Sequence, residues 1–404
     1  MNERVVITGM GVITSIGHTV EAFCNNLKKG KSGISRITSF STEGLKYKYG
    51  AEIKNIDFGQ YLTDKELRRA DRSTHLTLIA AKEAIDASGI DFSYENCDRC
   101  GVALGTTMGG MVFGGEYYKS SKKNRRTQFH KLIDYPIHAV GSHLCVNYQL
   151  RGPNLAVSTA CSSGNSSISC AYELIKNGMM DVMISGGFDA FSEFAWAGFG
   201  SLQNMAKEKC RPFDKDRDGL LLGEGSGIII LESLTHSLKR GFDAEFELLG
   251  YGATNDAYHM TAPDIGGASA ARAVEEALKA SGLEKENIDY ICAHGTGTIH
   301  NDAFETRVIK KVFGDYAYAI PMSSIKSMIG HTLGAAGAIE AIASALAIRD
   351  NFLPPTISYN SPCPKCDLDY VPNKARDKEV NHVLSNNFGF GGNNCSLVIS
   401  SYKN

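Results

Sequence analysis

The sequence predicts an α/β protein made of two duplicated halves, and three observations recurring in one order predict it. First, residues 83–90 read EAIDASGI and residues 276–283 read EALKASGL. Each closes an Ala-rich helical pattern at a glycine, Gly89 or Gly282, as a helix C-cap requires. Second, each leads through a polar connector to a strand ending in Gly-Thr, CGVALGTT at 100–107 and YICAHGTGT at 290–298. Third, each half carries a long helix of small residues, ACSSGNSSISCAYELI from 160 and LGAAGAIEAIASALAI from 333. The spacing of roughly 190 residues is too long for a solenoid. Small residues over a whole helix fit burial between two sheets, where other backbones approach closely. Site residues are then expected on loops at corresponding strand ends of both halves.

The elements follow in order from periodicity and punctuation. The apolar, β-branched start predicts a strand at 4–8, and 3.6-residue spacing predicts helices at 19–29 and 64–88. A strand follows at 101–105. Residues 111–150 read as loop-rich, with the basic run KKNRR at 122–126 taken as a solvated surface able to meet an acidic partner. Next come a strand at 154–159, a helix at 161–177, and strands at 181–186 and 227–232. The second half predicts helices at 268–281, 302–312 and 332–349, with strands at 289–293, 382–386 and 395–400. The halves are expected to divide as residues 1–245 and 246–404.

Bulk properties bound the function. The 404 residues are 43% hydrophobic and 21% charged, with net charge −2, so neither nucleic acid nor a membrane surface is an expected partner. No apolar run reaches the length of a membrane span, and the start reads as a strand rather than a signal peptide. A cytoplasmic protein is expected. Eleven scattered cysteines, an odd number, suit a reducing compartment. The pairs Cys97–Cys100 and Cys363–Cys366 lie too far apart for a common zinc module, and no metal is expected.

Two glycine-rich stretches do not carry a site. Gly9, Gly11 and Gly17 in TGMGVITSIG miss the dinucleotide spacing, because residue 14 is threonine. DKDRDGLLLGEG at 214–225 begins like a calcium loop, but Gly225 stands where a bidentate glutamate is needed. An ion-paired turn is expected there.

Cys161 differs in kind. In STACSSG it sits at a strand-to-helix turn, where helix-start amides would favour thiolate over thiol. Cys170, on the same helix, reads as buried filler. His294 in AHGTGT and His331 in SSIKSMIGHTLGAAG stand at strand ends of the second half, where duplication would bring them to Cys161. Lys326 adds a cation five residues before His331. The loop NNFGFGGNN interleaves Phe388 and Phe390 with Gly389, Gly391 and Gly392, letting a backbone N–H approach a ligand behind an aromatic guard.

Together RVVITGMGVITSIG, STACSSG, RPFDKDRDGLLLGEGSG, AHGTGT, SSIKSMIGHTLGAAGAIE, CDLDYVPNKAR and SNNFGFGGNN resemble the β-ketoacyl-acyl carrier protein synthases, most closely the synthase II group, essentially end to end. The resemblance implies a thiolase-like five-layered αβαβα sandwich. It implies decarboxylative condensation of malonyl-acyl carrier protein with an acyl chain held on Cys161. His294 and His331 would engage the malonyl thioester, with Lys326 supporting His331, and Asp302 and Glu305 would hold the histidine network. The amides of Cys161 and Phe390 would form an oxyanion hole, with Phe390 as gate between Gly389 and Gly391. Thr296 and Thr298 would contact the phosphopantetheine arm, and Met108 and Phe199 would line the acyl pocket. No metal or dissociable cofactor is implied; the partners would be acyl carrier protein and a second subunit, in a homodimer or in a heterodimer with a chain-length factor. Gly297, Ile299, Asn301 and Asn393 depart from the family's usual residues.

Three readings compete. One is fatty-acid elongation. Another is a type II polyketide or polyene ketosynthase, whose motifs vary in the same way. The third, a non-catalytic chain-length partner, conflicts with the presence of Cys161. Thiolases and synthase III enzymes use Cys-His-Cys or Cys-His-Asn, against the two histidine motifs here, and a cysteine protease would need neither the second histidine nor the Phe-Gly-Gly loop.

Overall fold

The computed structural model describes residues 3–122 and 128–403. Fourteen strands are described. In the first part they are β1 (Val5–Thr14), β2 (Ser35–Arg36), β3 (Tyr49–Gly50), β4 (Cys100–Gly105), β5 (Asn154–Val157), β6 (Val182–Asp189) and β7 (Gly225–Ser233). There follow β8 (Phe246–Asn255), β9 (Tyr290–Cys292), β10 (Met322–Ser323), β11 (Phe352–Leu353), β12 (Arg376–Asp377), β13 (His382–Gly389) and β14 (Asn393–Ser401).

Ten of them form one mixed sheet in the order β10-β9-β13-β14-β8-β1-β7-β6-β4-β5, and its symmetry is the duplication made visible. In one set β1 pairs antiparallel with β7, β7 antiparallel with β6, and β6, β4 and β5 run parallel. In the other set β8, β14, β13, β9 and β10 repeat those relations in the same sequence. The sets join only where Val6 and Ile7 face Glu247 and Phe246.

The helices are α1 (Val20–Lys28), α2 (Asp64–Arg69), α3 (Arg72–Ser88), α4 (Met111–Lys122), α5 (Ala139–Tyr148), α6 (Ser163–Lys176), α7 (Glu193–Ser201), α8 (Leu234–Lys239), α9 (Ala268–Ser281), α10 (Ile299–Phe313), α11 (Lys326–Ile329) and α12 (Ala336–Asp350). Helices α6 and α12 lie between the strand sets, α6 against β4 and β6, and α12 against β6, β7, β13 and β14. Helix α3 covers β1 and β7 outside, and α9 covers β8 and β14, which completes an αβαβα sandwich. Every α12 residue from Ala336 to Ile348 is buried. At the α6–α12 crossing a Cβ on Gly164 would stand 2.7 Å from Ala338 N, and one on Gly337 would stand 2.5 Å from Asn165 Oδ1. Nothing larger than glycine fits either place.

Some expectations are corrected. The helix expected over 64–88 is broken at Ala70, which is extended, because Asp71 caps α3 by accepting the Ser73 N–H. The loop-rich 111–150 region contains α4 and α5; its basic run lies outside the described residues beyond Lys122. Cys170 is exposed rather than buried, since it falls with Ser166 and Glu173 on the outward stripe of α6. Gly9 and Gly11 lie inside β1, pressed against the α3 carbonyls of Ala84 and Ala80. The 214–218 turn spends its Asp214 carboxylate on the N–H groups of Asp216, Asn360 and Ser361, while Arg217 lies 3.6 Å from Asp302. Gly89 and Gly282 do cap their helices in the left-handed region, at φ 65° and 70°.

Candidate active site

Cys161 lies beyond β5, in a single 3-10 turn (Ala160–Ser162) that leads into α6. Ala160 takes φ +52°, a strained value for a residue with a side chain. The turn is pinned by the Ser163 hydroxyl, which accepts from Thr159 N and donates to Ala160 O at 2.9 and 2.6 Å. Cys161 as a whole is 4% exposed. Burial pushes its thiol up to about 11, against the downward pull of the Phe390 backbone N–H, the Lys326 charge and its own amide. The expectation that the helix start favours thiolate is therefore corrected: desolvation is the larger effect.

His294 follows β9, and His331 lies between α11 and α12; their rings meet edge to face with centroids 5.5 Å apart. Both are buried. Burial and the Lys326 charge hold both imidazoles well below the ordinary histidine range, with His331 adding to the effect on His294. His331 Nδ1 accepts the Leu333 N–H at 3.3 Å, so in the neutral ring Nε2 carries the proton. That Nε2 is buried without a protein partner, as is His294 Nδ1. The backbone of His331 is held by the segment 220–223, through its N–H to Leu221 O at 2.6 Å and Gly223 N–H to its carbonyl at 2.9 Å.

Supporting charges lie behind the rings. Lys326 and Glu340, each 1% exposed, form a buried ion pair. Asn387 Nδ2 donates to the second Glu340 oxygen at 2.8 Å. Glu305 accepts the His294 and Gly295 N–H groups, each at 2.8 Å, and burial pushes its carboxyl up to about 8. Asp302 accepts Phe213 N–H at 2.7 Å and Gly297 N–H at 3.2 Å, tying the 210s turn to the histidine loop. Gly297, at φ +79°, suits glycine at this departure from the usual pattern.

One cavity of about 240 Å³ is lined by Cys161, His294, His331, Thr296, Thr298 and Phe390, with Phe199, Gly389 and Gly391 also on its wall. The Thr296 and Thr298 hydroxyls meet at 2.9 Å. Phe390 stacks on Phe199 with centroids 5.7 Å apart. A Cβ on Gly389 would stand 2.8 Å from Thr159 O and 3.2 Å from Cys161 N, so only glycine leaves that amide open. Gly391 turns at φ +76°, and Asn393 holds the loop by donating to Phe390 O at 2.9 Å. Met108 is not on the cavity wall; it packs partly buried, like Phe199, on the cluster that holds Trp196 and Leu333.

Sequence reasoning did not single out Glu340, Asn387 or Asp189. Asp189 is fully buried and ties together two loops, accepting from Thr106 Oγ1 and from the N–H groups of Thr107, Met108 and Gly334 at 2.6–2.9 Å. The available signal was a lone acid in an apolar run, GAIEAIA for Glu340 and ISGGFDAF for Asp189, since a buried charge demands partners. Among the described residues no three His, Cys, Asp or Glu side chains gather as a metal-ligating group.

Residues 2–237 match the β-ketoacyl synthase N-terminal domain and residues 246–360 the β-ketoacyl synthase C-terminal domain. The chain is 42% identical to a 3-oxoacyl-(acyl-carrier-protein) synthase 2 of Synechocystis sp., covering 99% of each chain. It is 40% identical to the protein of that name from Staphylococcus aureus strain COL, over 100% of this chain and 99% of the other. Among solved structures it is similar to the ishigamide ketosynthase/chain length factor, at TM-score 0.95 and 36% identity over the whole of both chains. With both domain profiles, full-length relatives and the cysteine–histidine cavity in agreement, the chain belongs to the β-ketoacyl synthase family.

Proposed function

We propose that this chain is an acyltransferase that condenses malonyl-acyl carrier protein with an acyl chain on Cys161, releasing carbon dioxide and giving β-ketoacyl-acyl carrier protein in fatty-acid elongation. The observation that carries the reading is the convergence of Cys161, His294 and His331 on one buried cavity. The sulfur attacks the acyl thioester of the incoming carrier, and the amides of Cys161 and Phe390 receive the oxyanion. Because the resting thiol is neutral, its proton leaves as the carbon–sulfur bond forms, and the departing phosphopantetheine thiolate takes it. Malonyl thioester then enters beside Thr296 and Thr298. Loss of carbon dioxide places negative charge on its carbonyl oxygen, and the His331 Nε2–H, together with His294, binds that enolate more strongly than the ground state. The enolate carbon attacks the acyl–Cys161 carbonyl, and the sulfur departs as thiolate, which takes one proton from water to restore the resting thiol.

Lys326 acts through Glu340 and through its field on both rings, keeping them neutral donors. Asp302 and Glu305 hold the loop that carries His294. Phe390, stacked on Phe199, closes the acyl side of the cavity, and Met108 packs on the same apolar cluster as Phe199. Substrates come on the phosphopantetheine arm of acyl carrier protein, so the reaction as drawn uses no metal or dissociable cofactor. We place the protein in the cytoplasm, as a dimer whose subunits each divide into halves at residues 245/246; no helix among the described residues is long and apolar enough to cross a membrane.

Incubation with acyl-acyl carrier protein, followed by intact-mass analysis, should show one acyl group on Cys161, and addition of malonyl-acyl carrier protein should convert it to the β-ketoacyl product. An unmodified Cys161 would overturn the reading. The similarity to the ishigamide ketosynthase/chain length factor supports a second reading, a type II polyketide or polyene ketosynthase paired with a chain-length factor. Turnover of saturated acyl chains by the chain alone favours elongation; turnover of polyketide or polyene intermediates only with a second subunit favours the alternative.

A further inference from the structure

Cys363 and Cys366 take no part in the reaction proposed above. They sit in a surface turn, NSPCPKCD, where Pro362, Pro364 and Lys365 are exposed and Cys363 keeps 8% exposure while Cys366 has none. The two residues pair as an isolated antiparallel bridge, with Cys366 N–H donating to Cys363 O at 2.9 Å. Antiparallel partners stand about 4.5–5.5 Å apart at Cα, within the roughly 4.4–6.8 Å that a disulfide spans. The Cys366 thiol also reaches the Cys363 sulfur as a hydrogen-bond partner.

A buried guanidinium faces the outer sulfur. Arg217 Nη1 donates to Cys363 Sγ at 3.3 Å and to Asp214 O at 2.7 Å, while its other nitrogens donate to Thr298 O and Ile299 O. Burial alone would push the Cys363 thiol up. The Arg217 hydrogen bond and charge, the Lys365 N–H and the Cys366 thiol together bring it below the ordinary cysteine range. Cys366 is pushed up to about 12, chiefly by burial. In the other CxxC pair, Cys97 and Cys100 spend their thiols on the carbonyls of Phe92 and Asn96, and burial pushes Cys100 up to about 12. The motif alone therefore does not produce the arrangement at 363–366; the guanidinium does.

We propose that Cys363 and Cys366 form a reversible dithiol–disulfide modification site that reacts with low-molecular-weight disulfides of the glutathione type. The Cys363 thiolate attacks one sulfur of the disulfide, forming a mixed disulfide and expelling one small thiolate. Cys366 then attacks the Cys363 sulfur, forming the intramolecular bond and expelling the second small thiolate. The protons of the two cysteines end on the two expelled thiols. The protein dithiol is oxidised by two electrons and the small disulfide is reduced to two thiols. Closure alters the sulfur that accepts from Arg217, and the same guanidinium anchors the 298–299 carbonyls beside the cavity.

The full chain is incubated with defined ratios of oxidised to reduced glutathione, free thiols are trapped by alkylation, and peptides are read by mass spectrometry. The expected result is a Cys363–Cys366 disulfide that reverts with reduced glutathione and forms about tenfold faster than adducts at Cys145 or Cys170, which lack a guanidinium at the sulfur. Cys366→Ser should stop at a single glutathione on Cys363, and Cys363→Ser should leave Cys366 reduced. Two alkylatable thiols at 363 and 366 at every ratio in the unaltered chain would overturn the proposal. So would modification of Cys145 and Cys170 as fast as Cys363.

Discussion

Cys161 rests as a neutral thiol because its desolvation outweighs the amide and cation that favour the anion. A group held at about 11 carries on the order of one thiolate in 10⁴ at pH 7. Since its pKa is raised, the reactive form grows only as pH climbs. Alkylation of the free enzyme by iodoacetamide, followed at Cys161 by peptide mapping, should accelerate about tenfold per pH unit between roughly pH 6 and 9. A plateau reached below pH 8 would mean that the thiolate is already formed. His331 gives a separable expectation, because its proton is fixed on Nε2 by the Leu333 N–H. His331→Ala should lower the condensation rate by on the order of 10²–10³, while acyl transfer to Cys161, read by intact mass, persists. Loss of both steps together would mean that the ring acts on the cysteine and not on the enolate. At Gly389 the methyl of Gly389→Ala meets Thr159 O at 2.8 Å, a backbone contact relieved only if the 389–390 or the 159–161 segment shifts. Acylation of Cys161, measured well below the variant's melting transition, should slow, while the same contact lowers stability by about 1–3 kcal/mol; a normal acylation rate would remove the Phe390 amide from the oxyanion site.

At the scale of elements, α6 and α12 cross where two backbones touch, so their small residues are a packing requirement rather than a composition bias. Gly164→Ala would insert a Cβ 2.7 Å from Ala338 N, and overpacking of this kind costs about 1–3 kcal/mol. Denaturant unfolding should show that loss; stability within about 0.5 kcal/mol of the unaltered chain would mean that the crossing opens freely. Most of this layer was legible in the sequence, because both helices repeat a small-residue pattern and each half also carries a strand that runs into Gly-Thr. What stayed hidden has physical reasons. β8 has glycines at Gly250 and Gly252 that interrupt its apolar run, since both lie under α9 backbone. α4 and α5 carry little apolar periodicity because Gly114, Gly115 and Gly141 sit inside them. In the site, the cysteine, both histidines and the Phe-Gly loop could be read as motifs, whereas the Lys326–Glu340–Asn387 relay needs partners 14 and 47 residues apart. Spacing of that kind has no local signature. The raised thiol pKa was equally hidden, since it depends on how completely Phe390 and the second half cover Cys161.

For the molecule as a whole, the duplication raises the question of whether each half is a folding unit. The largest core cluster answers it physically, because it joins Val5, Ile7 and Ile168 to Tyr290, Ile342 and Leu397 without interruption. Helix α12 belongs to the second half by sequence, yet its faces meet β6 and β7 as closely as β13 and β14. Severing the chain at 245/246 would expose that buried, mostly apolar helix on one fragment and leave the faces of β6 and β7 uncovered on the other. Apolar area of that extent cannot be left in water by a domain whose net stability is only about 5–15 kcal/mol. Fragments 1–245 and 246–404, expressed separately, should therefore lack cooperative unfolding by circular dichroism, and mixing them during refolding should restore a single transition. An isolated half that melts cooperatively would show that the repeated strand sets are stable alone, and that the cavity formed where they meet is a docking interface between two domains.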